Sequence, residues 1–399
     1  MFDPETMRTF TISDGLPADN SSVLLLDREG GLWIGTGGLN QPVGSGLARF
    51  DISANDASDR RMQTWTRTDG LLINHILGLY EDSQGTVWIG TAKGLNRYNG
   101  KGMTHFTEED GIPSERIFAI TADKDGALWI GVGNRLYRYV PTFPSREGLG
   151  VGFPAFTQVG GSELHVEGDD VITALYVDAA GHLWVGLGVF NGGKGYLFRY
   201  DGQRFTRFSA EDGAPSTFIT KISQDLQSRI WVGTLLGGVY VYDGKRFITP
   251  ATLRQISTIY DLFHDRQGNT WLATNGGAVK IGADWQPESG GALMRTLTTA
   301  DGLPHNEVRC LLEDKAGHLW FGTREGLTRY TPSTTPAVHI EQVVFADQTV
   351  QQPKEVKVSA AAKRVVVHYN APSFRTPPHQ MQYLVKLEGR DSDWRGCIK

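Results

Sequence analysis

Seven tryptophans in register constrain this chain more than any other feature. The stretch Gly31-Leu32-Trp33-Ile34-Gly35-Thr36 returns six more times before residue 330, centred on Trp88, Trp129, Trp184, Trp231, Trp271 and Trp320. An aspartate stands six residues before each one, at Asp27, Asp82, Asp123, Asp178, Asp225, Asp265 and Asp314, and three residues before each stands a glycine, with Ser228 as the exception. Asp-x-x-Gly between two apolar runs reads as a tight hairpin, because the aspartate bonds nearby backbone N–H groups and glycine accepts a positive φ. Five copies also carry an Asp-Gly step nineteen residues before the tryptophan, at Asp14-Gly15, Asp69-Gly70, Asp110-Gly111, Asp212-Gly213 and Asp301-Gly302. Such rigid spacing marks one supersecondary unit repeated along the chain.

Each unit reads as strand, Asp-x-x-Gly turn, Leu-Trp-Ile-Gly-Thr strand, loop, a third strand such as Gly94-Leu95-Asn96-Arg97-Tyr98, a turn and a fourth strand. Successive tryptophans are 40 to 55 residues apart, close to the length of one propeller blade. In the second strand Leu32 and Ile34 point one way and Trp33 the other, so both faces are apolar and each sheet needs cover on both sides. Blades packed around an axis provide that cover without helices and leave only short edges. The sequence therefore predicts an all-β fold, a seven-bladed β-propeller over residues 1–335.

Met7-Arg8-Thr9-Phe10-Thr11 matches Met103-Thr104-His105-Phe106-Thr107, each with its aromatic four residues before an Asp-Gly step. The first residues thus read as the fourth strand of the last blade, whose own repeat stops at Leu327-Thr328-Arg329-Tyr330. Surface insertions are expected at Asp51 to Arg61, Pro141 to Phe156 and Asp284 to Leu293, with long second-to-third loops at Gly37 to Gly46 and Gly188 to Gly195. After Thr335 the repeat ends, and apolar strands of another kind appear at Val338 to Phe345, Lys363 to Tyr369 and Met381 to Leu387. Residues 336–399 are too few for a whole sandwich of about 100 residues, so a truncated, Ig-like C-terminal β-sandwich that packs weakly is expected.

A net charge of −5 gives no basic surface, so nucleic acid is not an expected partner. The two cysteines cannot make a disulfide framework, and Cys310 falls in an apolar strand as a small hydrophobe. No run of 18 apolar residues and no signal-like N-terminus is present. No metal is expected: the ten histidines form no His-x-x-x-His spacing, and Asp123-Lys124-Asp125-Gly126 lacks the glutamate a calcium loop needs six positions on. Gly35-Thr36-Gly37-Gly38 lacks the Lys-Ser/Thr of a phosphate loop. The seven aspartates stand beside a turn in every copy, which makes them structural rather than catalytic.

The pattern Asp-Gly-Leu-Pro … Asp-x-x-Gly-x-Leu-Trp-Ile-Gly-Thr-x-x-Gly-Leu-x-Arg-Tyr resembles the two-component regulator propeller. The tail from His368-Tyr369-Asn370 through Tyr383-Leu384-Val385 to Trp394 is similar to the start of the three-tyrosine (Y_Y_Y) β-sandwich that follows such propellers. The resemblance implies the extracytoplasmic, ligand-sensing region of a bacterial two-component signalling protein, periplasmic or extracellular. With no membrane or kinase part following here, a fragment or a truncated gene product of such a signalling protein is expected. The rival readings are a propeller lyase similar to streptogramin lyases and a protein-interaction platform.

Strand order puts the entry to each first strand and the second-to-third loops on one face, at the mouth of the channel. Polar residues enter the first strands at Asp19, Asn74, His75, Glu115, Arg116, Thr217, Asn306 and Glu307, where no turn rule asks for them. The loops of the same face add Lys93, Asn134, Asn191, Lys194, Asn275, Arg324 and Glu325. This mixed set suits a small polar ligand such as an oligosaccharide. No cofactor and no catalytic residue are expected, and self-association through the C-terminal domain is a further expectation.

Overall fold

The structure, a computed structural model, describes residues 6–38, 44–52, 62–140, 156–164, 169–190, 193–287, 294–332, 339–345, 348–351, 365–370, 383–385 and 395–397. The chain divides into two compact units, Met7–Tyr330, and Met1–Thr6 with Thr331–Lys399. The larger is a ring of seven four-stranded antiparallel sheets. Blade 1 runs Ser21–Leu26, Gly31–Thr36, Leu47–Asp51 and Met62–Trp65. Blades 2 to 7 open with Ile76–Glu81, Ile120–Ala122, Asp170–Val177, Ile219–Gln224, Ile259–His264 and Val308–Glu313. These first strands adjoin one another around the channel, and Val308–Glu313 meets Ser21–Leu26 to close the ring.

Closure comes from the N-terminal strand Thr6–Phe10, which is the outer strand of blade 7 beside Gly326–Thr331. Phe10 stacks on Trp320 at 5.7 Å, as Phe106 stacks on Trp88 at 5.5 Å. The N-terminal strand therefore fills the place that a blade's own fourth strand fills elsewhere, and Phe10 is buried.

The repeat's signature residues hold the far rim of each blade together. In all seven blades the aspartate's Oδ2 accepts from the tryptophan Nε1–H, over 2.7 to 3.1 Å. Its Oδ1 accepts from the backbone N–H four residues on. The aspartate is thus more than a turn residue: a tryptophan buried between blades must satisfy its one donor, and a carboxylate six residues back reaches it. Burial alone would raise the Asp27 carboxyl; the Arg49 guanidinium and the N–H groups of Gly31 and Trp33 outweigh it and hold it below the ordinary carboxylate range.

The third-strand residue paired with the tryptophan is basic in six blades, as in Trp88 with Arg97 and Trp271 with Lys280. Arg97 covers both Trp88 and Phe106, at 5.9 and 5.5 Å, a cation–π contact. Blade 5 has Val241 there. Its cation comes instead from Arg229, whose Nε donates to Asp225 at 2.6 Å and whose guanidinium lies 5.9 Å from the Trp231 ring.

The glycine two places after the tryptophan marks the contact with the next blade. A Cβ on Gly131 would meet Ile172 Cγ2 at 2.5 Å, and one on Gly233 would meet Ile259 Cγ2 at 2.8 Å. Each isoleucine lies in the following blade's first strand, so the blades approach closely at that level. In blades 1, 2, 5 and 7 the residue after this glycine is a buried threonine whose Oγ1 closes the next hairpin by donating to a glycine carbonyl, as Thr91 does to Gly94 at 2.8 Å.

In the smaller unit, Gln348–Gln351, His339–Phe345 and Val365–Asn370 form one antiparallel sheet in that order, and Tyr383–Val385 pairs with Arg395–Cys397. The rest of the expected sandwich lies outside the described residues, as do the insertions at 53–61, 141–155 and 288–293.

Candidate functional site

The Asp-Gly steps fold into single 3-10 turns that lead from one blade into the next. In Thr66-Arg67-Thr68-Asp69-Gly70, Asp69 Oδ2 accepts from Thr66 N–H at 2.9 Å, and Gly70 ends the turn at φ 103°. Five residues past that aspartate, Asn74 Oδ1 accepts from Arg67 N–H at 2.8 Å. Asp19 and Asn306 do the same for Ile12 and Thr299, each at 2.8 Å. The expectation that no turn rule explains these three is corrected: each caps a free N–H of the turn.

The other mouth residues fall into different settings. His75 is half-buried, and its Nε2 donates to the Gly38 carbonyl at 3.0 Å. Glu115 pairs with Arg135 beside the blade 3 turn. Thr217 bridges to Lys194 across the blade 4 loop, and its hydroxyl is buried without a partner among the described residues. Lys93, Asn275 and Arg324 sit exposed at two-residue hairpin tips between second and third strands. Asn134 donates to Asp170 at 3.1 Å, Glu325 is exposed, and Asn191 lies outside the described residues.

Two groups do converge on the channel. Glu307 Oε1 accepts from Arg309 Nε and Nη2 at 2.9 and 2.6 Å, and its Oε2 faces Arg324 Nη1 at 3.9 Å. Arg116 is exposed, and its guanidinium lies 5.3 Å from the centre of the Phe190 ring. Phe190 in turn touches Phe118 of blade 3 and Phe218 of blade 5, at 6.1 and 5.4 Å. No carboxylate pairs with Arg116 among the described residues.

Below this mouth lies a cavity of about 240 Å³ walled by first strands of all seven blades. The sequence reading missed its chemistry. Counted back from each tryptophan, the residue eleven positions earlier is Ser22, Leu77, Phe118, Thr173, Thr220, Tyr260 or Arg309, and the residue ten earlier is Val23, Gly78, Ala119, Ala174, Lys221, Asp261 or Cys310. In six blades the pairing register slips between positions twelve and ten, so the residue between them is a β-bulge. A bulge re-aims side chains at a barrel or channel wall. The signal was present as two columns of mixed polarity inside otherwise uniform strands, but the isoleucine, valine and leucine around them made the strands read as core.

The ten-back ring is lopsided. Blades 1 to 4 give it small or apolar residues, while blades 5 to 7 give it an ammonium, a carboxylate and a thiol. Lys221 Nζ lies 2.9 Å from Asp261 Oδ1, and 46 % of the lysine side chain still meets water, which is the channel's own because protein surrounds the group. Attraction to Asp261 holds the Lys221 ammonium above its ordinary pKa, against the opposite pull of burial. Asp261 also accepts from Leu262 N–H and Leu311 N–H, both at 3.0 Å. Burial pushes the Cys310 thiol up, so it is a neutral thiol in the wall. Burial, then Glu307, raises the Tyr260 phenol.

No group of three or more His, Cys, Asp or Glu side chains able to hold a metal occurs among the described residues. No helix among them is long and apolar enough to cross a membrane.

The two-component regulator propeller family matches residues 15–38, 70–93, 111–134 and 302–325, four of the seven repeats. No curated protein matches the chain. Among solved structures, the extracellular domain of the protein described as hybrid two-component system BT3049 from B. thetaiotaomicron is 19% identical with a TM-score of 0.63, over 99% of this chain and 52% of that one. That of BT4673 is 18% identical with a TM-score of 0.61, over 98% and 53%. A streptogramin B lyase is 13% identical with a TM-score of 0.58, over 82% and 97%. The chain thus spans about half the length of the two extracellular domains it matches, and what it shares with all three is the propeller fold, with the repeat itself similar to that of two-component regulators.

Proposed function

We propose that this chain is the sensing propeller of an extracytoplasmic signalling protein, and that it takes a small polar ligand at the channel mouth. The observation that carries the reading is the pairing of Arg116 with Phe190. A guanidinium on an exposed aromatic face, with no carboxylate on it among the described residues, offers a ligand both stacking surface and donors. Glu307, Arg324, His75 and Lys93 supply further donors and acceptors around the same opening, as a sugar or another polyhydroxylated ligand needs. Asp19, Asn74 and Asn306 contribute by holding the turns that carry these groups, and Glu115, Thr217 and Asn275 complete the rim. The extracellular setting of the two B. thetaiotaomicron domains supports the location.

The test is a thermal-shift screen of glycans and small metabolites, followed by Arg116→Ala and Glu307→Gln on any hit. Loss of affinity by tenfold or more in Arg116→Ala, about 1.4 kcal/mol, is the expected result. A ligand whose affinity stays within twofold in both variants does not bind at the mouth. Turnover of a hit would replace the sensor reading with the lyase reading, which the similarity to a streptogramin B lyase keeps in view.

A further inference from the structure

The lopsided ring lies below the mouth, and it also joins blades 5, 6 and 7 through Asp261, which Lys221 and the Leu311 N–H both reach. Its polar members come from three successive blades, at Lys221, Asp261 and Cys310, and the wall across from them is built of Val23, Gly78, Ala119 and Ala174. Small side chains on one half of a ring and a charged pair on the other leave a space with one polar and one mostly apolar side, since the Ser22 and Thr173 hydroxyls that also line it donate to backbone carbonyls. The apolar side continues downward through Leu24, Leu79, Ile120 and Leu175.

The hydrogen-bonding capacity of the polar half is one-sided. Asp261 is occupied on both oxygens, by Lys221 and Leu262 N–H on one and Leu311 N–H on the other. An ammonium has three donors. Lys221 spends one on Asp261, and no other protein acceptor reaches it among the described residues. Arg309 and Glu307 line the same cavity and balance the pair in charge, but Arg309 is spent on Glu307, so the donors left over beside Asp261 are those of Lys221, which face the cavity. A cation held protonated in this way is a binding group rather than a nucleophile.

Size narrows the ligand. A cavity of about 240 Å³ is smaller than the ~300–1,000 Å³ of pockets that take drug-sized ligands, so an oligosaccharide does not fit but a fragment of a few heavy atoms does. We propose that the channel holds a second ligand site, for a small monocarboxylate with a short alkyl body, the carboxylate accepting from Lys221 and the body lying against blades 1 to 4. The inference is independent of the mouth ligand: it uses the ring below, and Arg116 has no role in it.

The experiment titrates the full chain with sodium butyrate by calorimetry and thermal shift at constant ionic strength, with butyramide and glucose as isosteric and polyol controls. Saturable binding of butyrate, at least tenfold tighter than butyramide, is expected. Ala174→Leu, which fills the apolar half and leaves every charge in place, and Lys221→Met, which removes the donor, each weaken butyrate by tenfold or more, while Arg116→Ala leaves it within twofold. The proposal is overturned if butyrate shows no saturable binding, if butyramide matches it, or if butyrate binding survives Ala174→Leu. Should Lys221→Met not fold, the butyrate-to-butyramide ratio on the unaltered chain and the Ala174→Leu variant decide the matter between them.

Discussion

The far rim and the channel wall of this propeller are built on opposite terms. At the rim every blade repeats one arrangement, a carboxylate joined to the indole N–H six residues on and to the backbone four residues on. Where blade 5 lacks the usual third-strand cation, Arg229 restores it from another position. In the channel, two positions earlier in the first strand than the uniform apolar ones, almost no two blades agree. Sameness at the rim is what seven equal packing interfaces require, and difference in the channel is what one asymmetric site requires.

The comparison predicts a graded set of effects. Trp88→Ala removes a ring buried between blades 2 and 3 and should cost about 3–5 kcal/mol in chemical denaturation. Deleting residues 1–13 should be of similar severity, because it uncovers Trp320 and the edge of blade 7; a melting curve equal to the parent's would break the closure argument. Asp82→Ala should follow, at about 2–4 kcal/mol, since it strands the Trp88 indole donor and two turn amides. Asp82→Asn, which keeps one acceptor oxygen, should recover part of that loss.

His264 gives the next step and a pH dependence. It lies edge-on to Trp231, with Ser223 Oγ and Thr270 Oγ1 at 2.8 and 2.9 Å from its ring nitrogens. Burial holds its pKa down at about 4, from 6.5. The neutral ring is favoured in the folded state, so its contribution is complete above pH 6.5 and is lost as pH falls from 6.5 to 4, by up to about 3 kcal/mol. Urea midpoints across that window should flatten in His264→Gln relative to the parent. An unchanged slope would assign the acid sensitivity to other groups.

The turn caps come lower. Asn74→Ala should cost about 1 kcal/mol, the ordinary value of a lost N-terminal cap, and Asn74→Asp should be close to neutral because Asp19 does the same work in blade 1. Smallest of all, Ala119→Ser in the channel ring should change stability by no more than about 0.5 kcal/mol. A large effect there would mean that the ring carries packing and not only a site.

Residues that act within one hairpin were readable from the chain. The aspartate, the turn glycine and the tryptophan lie within six residues, so their spacing repeats wherever their contact repeats, and the N-terminal strand could be matched to Phe106 by the same local pattern. The turn caps were just as local, at a constant five residues past the Asp-Gly aspartate, but two residue types and two exceptions, Glu115 and Thr217, blurred the rule. Partners in the channel are not local: Lys221 meets Asp261 from the next blade, and Asp261 accepts from Leu311 in the blade after that.

By itself, then, the sequence determined the number of blades, their internal order and the strand that closes the ring, because each of these depends on short-range spacing repeated seven times. Which arginine lies on an open aromatic face, and that a lysine, an aspartate and a thiol share one wall, were decided only when the ring closed. Those contacts join positions 40 to 74 residues apart, and it is the circular stacking of the blades, together with the bulge in six of the inner strands, that brings them to a common axis.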